Sequence, residues 1–288
     1  MIVAALAYDQ LTEAERAKFD MILQNHAKYQ TWFEAYPEGG LPELPLPKFI
    51  AMLASLYADD IRNHDNPETF PEWHYIDYPL YPPDFPMKPA PTPDNDLLVG
   101  LAKSANAVEK LTSQYDTRPR AKYLSYLLHL VGDAHQPLHC ETLFDENFKE
   151  PEGDRGGNNA WVKPPGGQAI KLHAFWDQLF GPGPQLYRLP PMTMILAALH
   201  KSLELAPAFP REKLPELAAH PTPVSWTLES RELVINEAWR HHQIAYGLTE
   251  GTAAELPAGY PEKAYTIAER QVALAGHRLA DQLHEVLK

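Results

Sequence analysis

The stretch His129-Leu-Val-Gly-Asp133-Ala-His135-Gln-Pro-Leu-His139 gathers imidazoles around a single carboxylate, and His173-Ala-Phe-Trp-Asp177 repeats part of the pattern further on. Between Tyr123 and Cys140 the only formal charge at neutral pH is Asp133, set among Leu124, Leu127, Leu128, Leu130 and Val131. A lone carboxylate in such surroundings loses its hydration at heavy cost unless a cation meets it, and a metal ion is the simplest such partner. His129 and Asp133 are four residues apart, as are His173 and Asp177, so on a helix each pair shares a face and converges. His139 follows Pro137 just past the first of these segments. Taken singly, each histidine reads as a hydrogen-bonded core residue, and Asp177 as a cap or a partner of Lys171. Two His-x3-Asp steps plus His139 favour metal binding instead. Nitrogen and oxygen donors without thiolates suit a catalytic zinc site better than a structural one.

The elements that must hold these residues read as helices nearly throughout. A helix over 119–136 places Leu124, Leu127, Leu128 and Val131 on one face and Tyr126, His129, Leu130 and Asp133 opposite, so it is buried on both sides with the second side lining a site. Thr12 with Glu15 three residues on predicts a capped helix running to about Tyr29. Phe49, Met52, Leu53 and Leu56 predict another from about Pro47 to Asn63, and further helices are expected near 97–115, 192–206, 223–247 and 261–287. The best strand signal is Ala160 to Leu172, two short runs about a Gly-Gly turn, which predicts a small hairpin. The 29 prolines concentrate in loops such as Pro79–Pro93 and Pro182–Pro191. No internal repeat is visible. The fold class expected is all-α, a single domain over residues 1–288 with a small β-hairpin and long Pro-rich loops.

Composition narrows the function. With 288 residues and 44% hydrophobic content, the chain has ample material for a core. A net charge of −13 argues against a surface built for unspecific attraction to nucleic acid or anionic lipid, so a phosphate substrate must be held locally. Cys140 is the only cysteine, which excludes an intramolecular disulfide and a thiolate metal cluster. No apolar run reaches the roughly 18 residues of a membrane span. Met1 to Ala7 lacks a basic leader and is too short for a signal peptide. His64-Asp65 raises an HD-type phosphohydrolase, but Asn66-Pro67 ends the helix that such a motif needs.

The segment from Tyr123 to His139 resembles the zinc-dependent single-strand nucleases of fungi, plants and bacteria, the S1/P1 nuclease family. Gly156-Gly157-Asn158 followed by Leu172-His173-Ala-Phe-Trp176-Asp177 has that family's order, as does Ala58-Asp59-Asp60-Ile61-Arg62 before Trp73-His74-Tyr75-Ile76-Asp77. Trp226-Thr-Leu-Glu229-Ser230 and the run Ala268 to Ala280 resemble its C-terminal helices, so the similarity spans nearly the whole chain.

The resemblance implies a mostly helical fold shared with zinc phospholipases C and a cluster of three Zn2+ ions in a cleft. Asp59, His74, His129 and Asp133 would bind one zinc, and His139, His173 and Asp177 a second. Asp133 would bridge two ions, Arg62 would face the phosphate, and Asp59, Arg62 and Asp133 would carry the catalysis. Tyr75 and Asp77 would stack on and hydrogen-bond to a base, with Gly156, Gly157 and Asn158 shaping the wall beside them. Helical periodicity alone would choose Asp60 over Asp59; the resemblance chooses Asp59, because Arg62 then also matches. The family opens with Trp-Gly-x-x-Gly-His, whose donors join the carboxylate matching Asp133 at the third zinc. Here Met1 to Ala7 aligns with the residues just after that motif, so Met1 is expected to be internal to a longer reading frame that also encodes a secretory signal. His135 is left as a residue behind the ligands or at the surface.

The activity implied is hydrolysis of phosphodiester bonds in single-stranded DNA and RNA to 5′-phosphorylated products, with 3′-nucleotidase activity in addition. The resemblance also implies a monomer, secreted or periplasmic, that needs no membrane and no protein partner. Two rivals stand beside it: a zinc phospholipase C, against which Tyr75 and Asp77 argue, and a zinc-binding protein with little catalysis because the third metal site is incomplete.

Overall fold

Side-chain caps and proline positions decide where most helices begin. In the computed structural model, which describes residues 1–62, 69–83, 85, 95–113, 115–182 and 188–288, Thr12 and Glu15 form the expected reciprocal capping box. Asp96 accepts from the amides of Leu98 and Val99, and Thr222 caps a helix that has Pro223 in its first turn. The helices run in order α1 (Ile2–Gln10), α2 (Glu13–Leu23), α3 (Tyr29–Glu34), α4 (Leu46–Ala54), α5 (Tyr57–Ile61), α6 (Leu97–Lys110) and α7 (Thr117–Asp133). They continue as α8 (Leu172–Asp177), α9 (Met192–Ala208), α10 (Glu216–Ala219), α11 (Pro223–Leu233) and α12 (Tyr260–Val286). Two 3-10 turns, Pro71–His74 and Pro137–Cys140, carry site residues.

Strands are few and short, in keeping with the mostly helical fold. β1 (Pro79–Leu80) pairs in parallel with β2 (Thr142–Leu143). The expected hairpin exists as β3 (Trp161–Lys163) against antiparallel β4 (Ile170–Lys171), in register Val162 to Ile170. A third strand, β5 (Ala254–Glu255), joins β3 in parallel; two residues are too few to show a period of two in sequence.

Four helix expectations change. α1 has no counterpart among the expected helices, because Ala4 to Tyr8 are buried continuously and a helix apolar all round has no amphipathic period. The helix from Thr12 stops at Leu23: the His26 ring stacks on Trp32 and its Nδ1 takes the Lys28 amide, turning the chain before α3. The expected 47–63 helix breaks at Ser55–Leu56 into α4 and α5. The expected 223–247 helix leaves α geometry at Val234–Ala238, a π turn, and ends where Arg240, His241 and His242 take positive φ. His64-Asp65, Asn66-Pro67 and parts of both Pro-rich loops lie outside the described residues.

The main core is built around α7, whose Leu124, Tyr126, Leu127, Leu128, Leu130 and Val131 are all buried, as expected of a helix covered on both faces. A second apolar cluster under the small sheets contains Leu138, Leu143, Val162, Leu172, Trp176 and Trp239. Asp133 ends α7 in the first cluster and Leu138 begins the second, so the chain crosses between cores where its histidines are densest. No helix among the described residues is long and apolar enough to cross a membrane.

α6 lies along α7, and both approach the 3-10 turn that ends in His74. The approach depends on Gly100, where a Cβ would sit 2.8 Å from the buried Trp73 side chain and 2.9 Å from Leu130. Gly100→Ala is therefore expected to destabilise the fold by about 1–3 kcal/mol through overpacking. A urea-unfolding midpoint equal to that of the parent would contradict this close approach.

Candidate metal centre

Each histidine of the pattern is steered by a backbone carbonyl. His129 Nδ1 donates to Ser55 O at 2.8 Å, His139 Nδ1 to His74 O at 2.5 Å, and His173 Nδ1 to Gly156 O at 2.7 Å. A carbonyl can only accept, so Nδ1 carries the ring proton in all three, and in the neutral rings the lone pair is on Nε2. Ser55 caps the end of α4 and His74 ends a 3-10 turn, positions whose carbonyls have no intrahelical partner to lose.

The Nε2 atoms converge on carboxylates in two groups. In the first, His74 Nδ1 lies 3.0 Å from Asp133 Oδ2, 3.1 Å from His129 Nε2 and 3.7 Å from Asp59 Oδ1. His129 Nε2 is 3.2 Å from Asp133 Oδ2 and 3.7 Å from Asp59 Oδ2. In the second, Asp177 lies 3.8 Å from His139 Nε2 and 3.5 Å from His173 Nε2. Donors around a four-coordinate zinc with bonds of about 2.0–2.2 Å stand about 3.3–3.5 Å apart. Both groups scatter around that spacing, and in each the candidate ligand atoms lie within 4.8 Å of one another. Two imidazole nitrogens facing one point beside carboxylates fit a cation between them. Asp133 Oδ1 turns the other way, 3.8 Å from His139 Nδ1, the nitrogen that donates to His74 O, so this one side chain is within ion-pair distance of a histidine of each group.

The electrostatics follow from burial and proximity. Asp133, with its side chain only 12% exposed, is disfavoured as an anion by burial, but His129 and His139 outweigh this and hold it well below the usual carboxylate range. Burial likewise opposes charge on His129, yet Asp133 and Asp59 lift it to about 9; His139 rises to about 9 because Asp133 and Asp177 overcome its burial. For His74 and His173 burial wins, and both stay neutral more readily than a free imidazole. Protons on His129 and His139 thus do in part what a metal ion would do.

Asp59, not Asp60, is the carboxylate brought to His74 and His129. Periodicity favours the other because the break at Ser55–Leu56 resets the phase between α4 and α5. Arg62, one residue past α5, reaches back to Asp59 at 3.4 Å and stands beside the first group. Tyr75 follows the 3-10 turn and is 39% exposed, so it is not a core residue. One Asp77 oxygen accepts the Thr142 hydroxyl at 2.5 Å. Asn158 turns its side-chain amide onto Arg155 O at 3.0 Å, within its own loop. Gly156 must be glycine: its φ is +59° and a Cβ would stand 2.2 Å from Leu138 O. His135 is buried behind α7 and is not a surface residue. A cavity of about 620 Å³ opens beside Asp133, His139 and Asp177, with Val3, Trp176, Met194 and Val272 among its walls.

Three supporting residues escaped the reading of the sequence. Gln136 Nε2 donates to Asp177 Oδ1 at 2.9 Å, tying the link after α7 to α8, the two helices that carry the His-x3-Asp steps. Fully buried Asp154 accepts the amides of Leu143, Gly156 and Gly157, pinning the turn whose Gly156 carbonyl orients His173. Ser55 supplies the carbonyl for His129. Asp154 two residues before Gly156 carries a signal, since Asp at the head of a glycine turn binds the amides just beyond it. Gln136 and Ser55 carry none, because their roles arise from contacts far along the chain.

The profile of the S1/P1 nuclease family matches residues 1–288, and a search among curated proteins finds no match. Two His/Asp groups, a carboxylate within ion-pair distance of a histidine of each and a profile match from the first residue to the last agree: the chain belongs to the S1/P1 nucleases, a family of hydrolases that cut nucleic acids.

Proposed function

We propose that this chain, working as one domain and as an exported monomer, hydrolyses phosphodiester bonds in single-stranded DNA and RNA to 5′-phosphorylated products and removes 3′-phosphates from nucleotides. The metal would be zinc, held by Asp59, His74, His129 and Asp133 in one group and by His139, His173 and Asp177 in the other. The observation that carries this reading is the pair of His/Asp groups, each with its candidate ligand atoms within 4.8 Å of one another, with Asp133 against the histidines of the first. Bound zinc supplies an activated water near neutral pH and a Lewis acid for phosphate oxygens.

The chain's own residues would do the rest. Arg62, steadied by Asp59, offers a guanidinium to the phosphate and to the charge that grows there during displacement. The exposed face of Tyr75 gives an unstacked base a platform, which a single strand can use and a duplex cannot. Asp77, steadied through one oxygen by Thr142, has the other for the hydrogen-bonding edge of that base. Asp154 keeps the wall at Gly156 and Gly157 in shape beside it.

Three outcomes test the reading. Asp133→Ala should abolish hydrolysis of a single-stranded oligonucleotide and reduce zinc content; an active, zinc-replete variant would contradict it. Tyr75→Ala should raise KM for that substrate about 10- to 100-fold, the loss expected for one stacked base, while hydrolysis of phosphatidylcholine stays absent. The reverse preference would favour the phospholipase. Since His129 and His139 sit at about 9 in the metal-free protein, both hold protons at pH 7 and must release them when zinc binds. Zinc affinity should therefore rise with pH up to about 9, with about two protons released at pH 7, read from the buffer dependence of the binding enthalpy. Uptake without proton release would contradict the assignment of these two ligands.

A further inference from the structure

Behind the candidate ligand groups, on the side of α7 turned towards α11 and α12, lies a buried polar assembly that the hydrolytic chemistry does not use. Arg278 is 2% exposed and grips Glu229 with both terminal nitrogens, Nη1 to Oε1 at 3.1 Å and Nη2 to Oε2 at 2.9 Å. Nη1 also donates to His135 Nε2 at 2.8 Å, and Nη2 to Glu216 O at 3.2 Å. His135 Nδ1 donates to Val131 O at 2.7 Å. That carbonyl can only accept, so Nδ1 bears the proton and Nε2 is the acceptor for the guanidinium. Both ring nitrogens are committed and the imidazole has no freedom left. Trp226 covers it, with 5.6 Å between ring centroids, and the guanidinium lies 5.6 Å from the same indole.

The place of this assembly is what gives it meaning. Asp133 is the last residue of α7 and His139 lies in the 3-10 turn Pro137–Cys140, so Ala134, His135 and Gln136 form the whole link between these two elements. All three are held: Ser230 donates its hydroxyl to Ala134 O at 2.7 Å, Arg278 holds His135, and Gln136 is bonded to Asp177. A buried ion pair contributes little net stability compared with apolar residues of the same shape; here four hydrogen bonds of the guanidinium hold it against His135, Glu229 and Glu216. Donors behind a ligand set alter metal affinity by about 10- to 100-fold when removed.

We propose that Arg278 and Glu229 are positioning residues for the metal centre, acting through His135 to lock the three-residue link between the end of α7 at Asp133 and the 3-10 turn that carries His139. The inference rests on the metal reading above. Its test is the zinc dissociation constant, measured by competition with a chromophoric chelator on the full chain, alongside thermal unfolding. His135→Leu and Arg278→Lys should bind zinc about 10- to 100-fold more weakly than the parent while remaining folded. His135→Gln, which keeps an acceptor for the guanidinium, should stay close to the parent. Leu23→Ala, a cavity in the buried face of α2, a helix that carries no candidate ligand and no member of this assembly, should lower the unfolding temperature and leave zinc affinity unchanged. Should His135→Leu fail to fold, Arg278→Lys against Leu23→Ala decides the matter. Parent-like zinc affinity in Arg278→Lys, or an equal loss in Leu23→Ala, would overturn the positioning role alone; a folded parent that takes up no zinc would overturn the metal reading beneath it.

Discussion

A carboxylate taken out of water among imidazoles is the constraint on which the rest depends. Asp133 stands within 3.2 Å of two imidazole nitrogens at the buried end of α7. Its charge must be answered, and the protein answers it with imidazoles from three elements: a 3-10 turn through His74, α7 itself through His129, and the next turn through His139. All three must arrive beside the same carboxylate. That demand explains why α7 is covered on both faces, and why α6 is drawn so close to Trp73 and His74 that only glycine fits at position 100.

The irregular backbone of this protein is where its chemistry is arranged. Three ring tautomers are fixed by carbonyls at places where regular structure stops: Ser55 at the end of α4, His74 at the end of its 3-10 turn, and Gly156 in a left-handed turn. A carbonyl inside a helix is already engaged; one at its end is free to orient a side chain. The break between α4 and α5 therefore does two things, releasing Ser55 O towards His129 and turning Asp59 into the site. A continuous helix over 47–63 would do neither.

Much of the candidate site was legible because its candidate ligands come in local steps. His129 with Asp133 and His173 with Asp177 announce themselves by four-residue spacing on helices, and the structure brings each pair together as that spacing implies. α7 was legible because its two faces read differently but are both apolar enough to bury. Less legible were features whose cause is distant in sequence: α1, uniformly buried by α4, α9 and α12; the early end of α2, decided by the stacking of His26 on Trp32; and the choice of Asp59, decided by a helix break. The partners behind the ligands, Gln136, Asp154 and Ser55, matter through contacts that no period in the sequence records. Arg278 went unread, because its partner Glu229 lies on another helix far along the chain.

Whether the convergence of imidazoles and carboxylates around Asp133 is a metal centre decides everything built on it. The most direct measurement is the metal content of the folded protein, purified without chelator, together with the position of each ion by anomalous scattering at the zinc edge. The expected result is at least two zinc ions per chain, one touching Asp59, His74, His129 and Asp133 and the other touching His139, His173 and Asp177. A folded, crystalline protein with those side chains in place and no metal between them after zinc is supplied would contradict it.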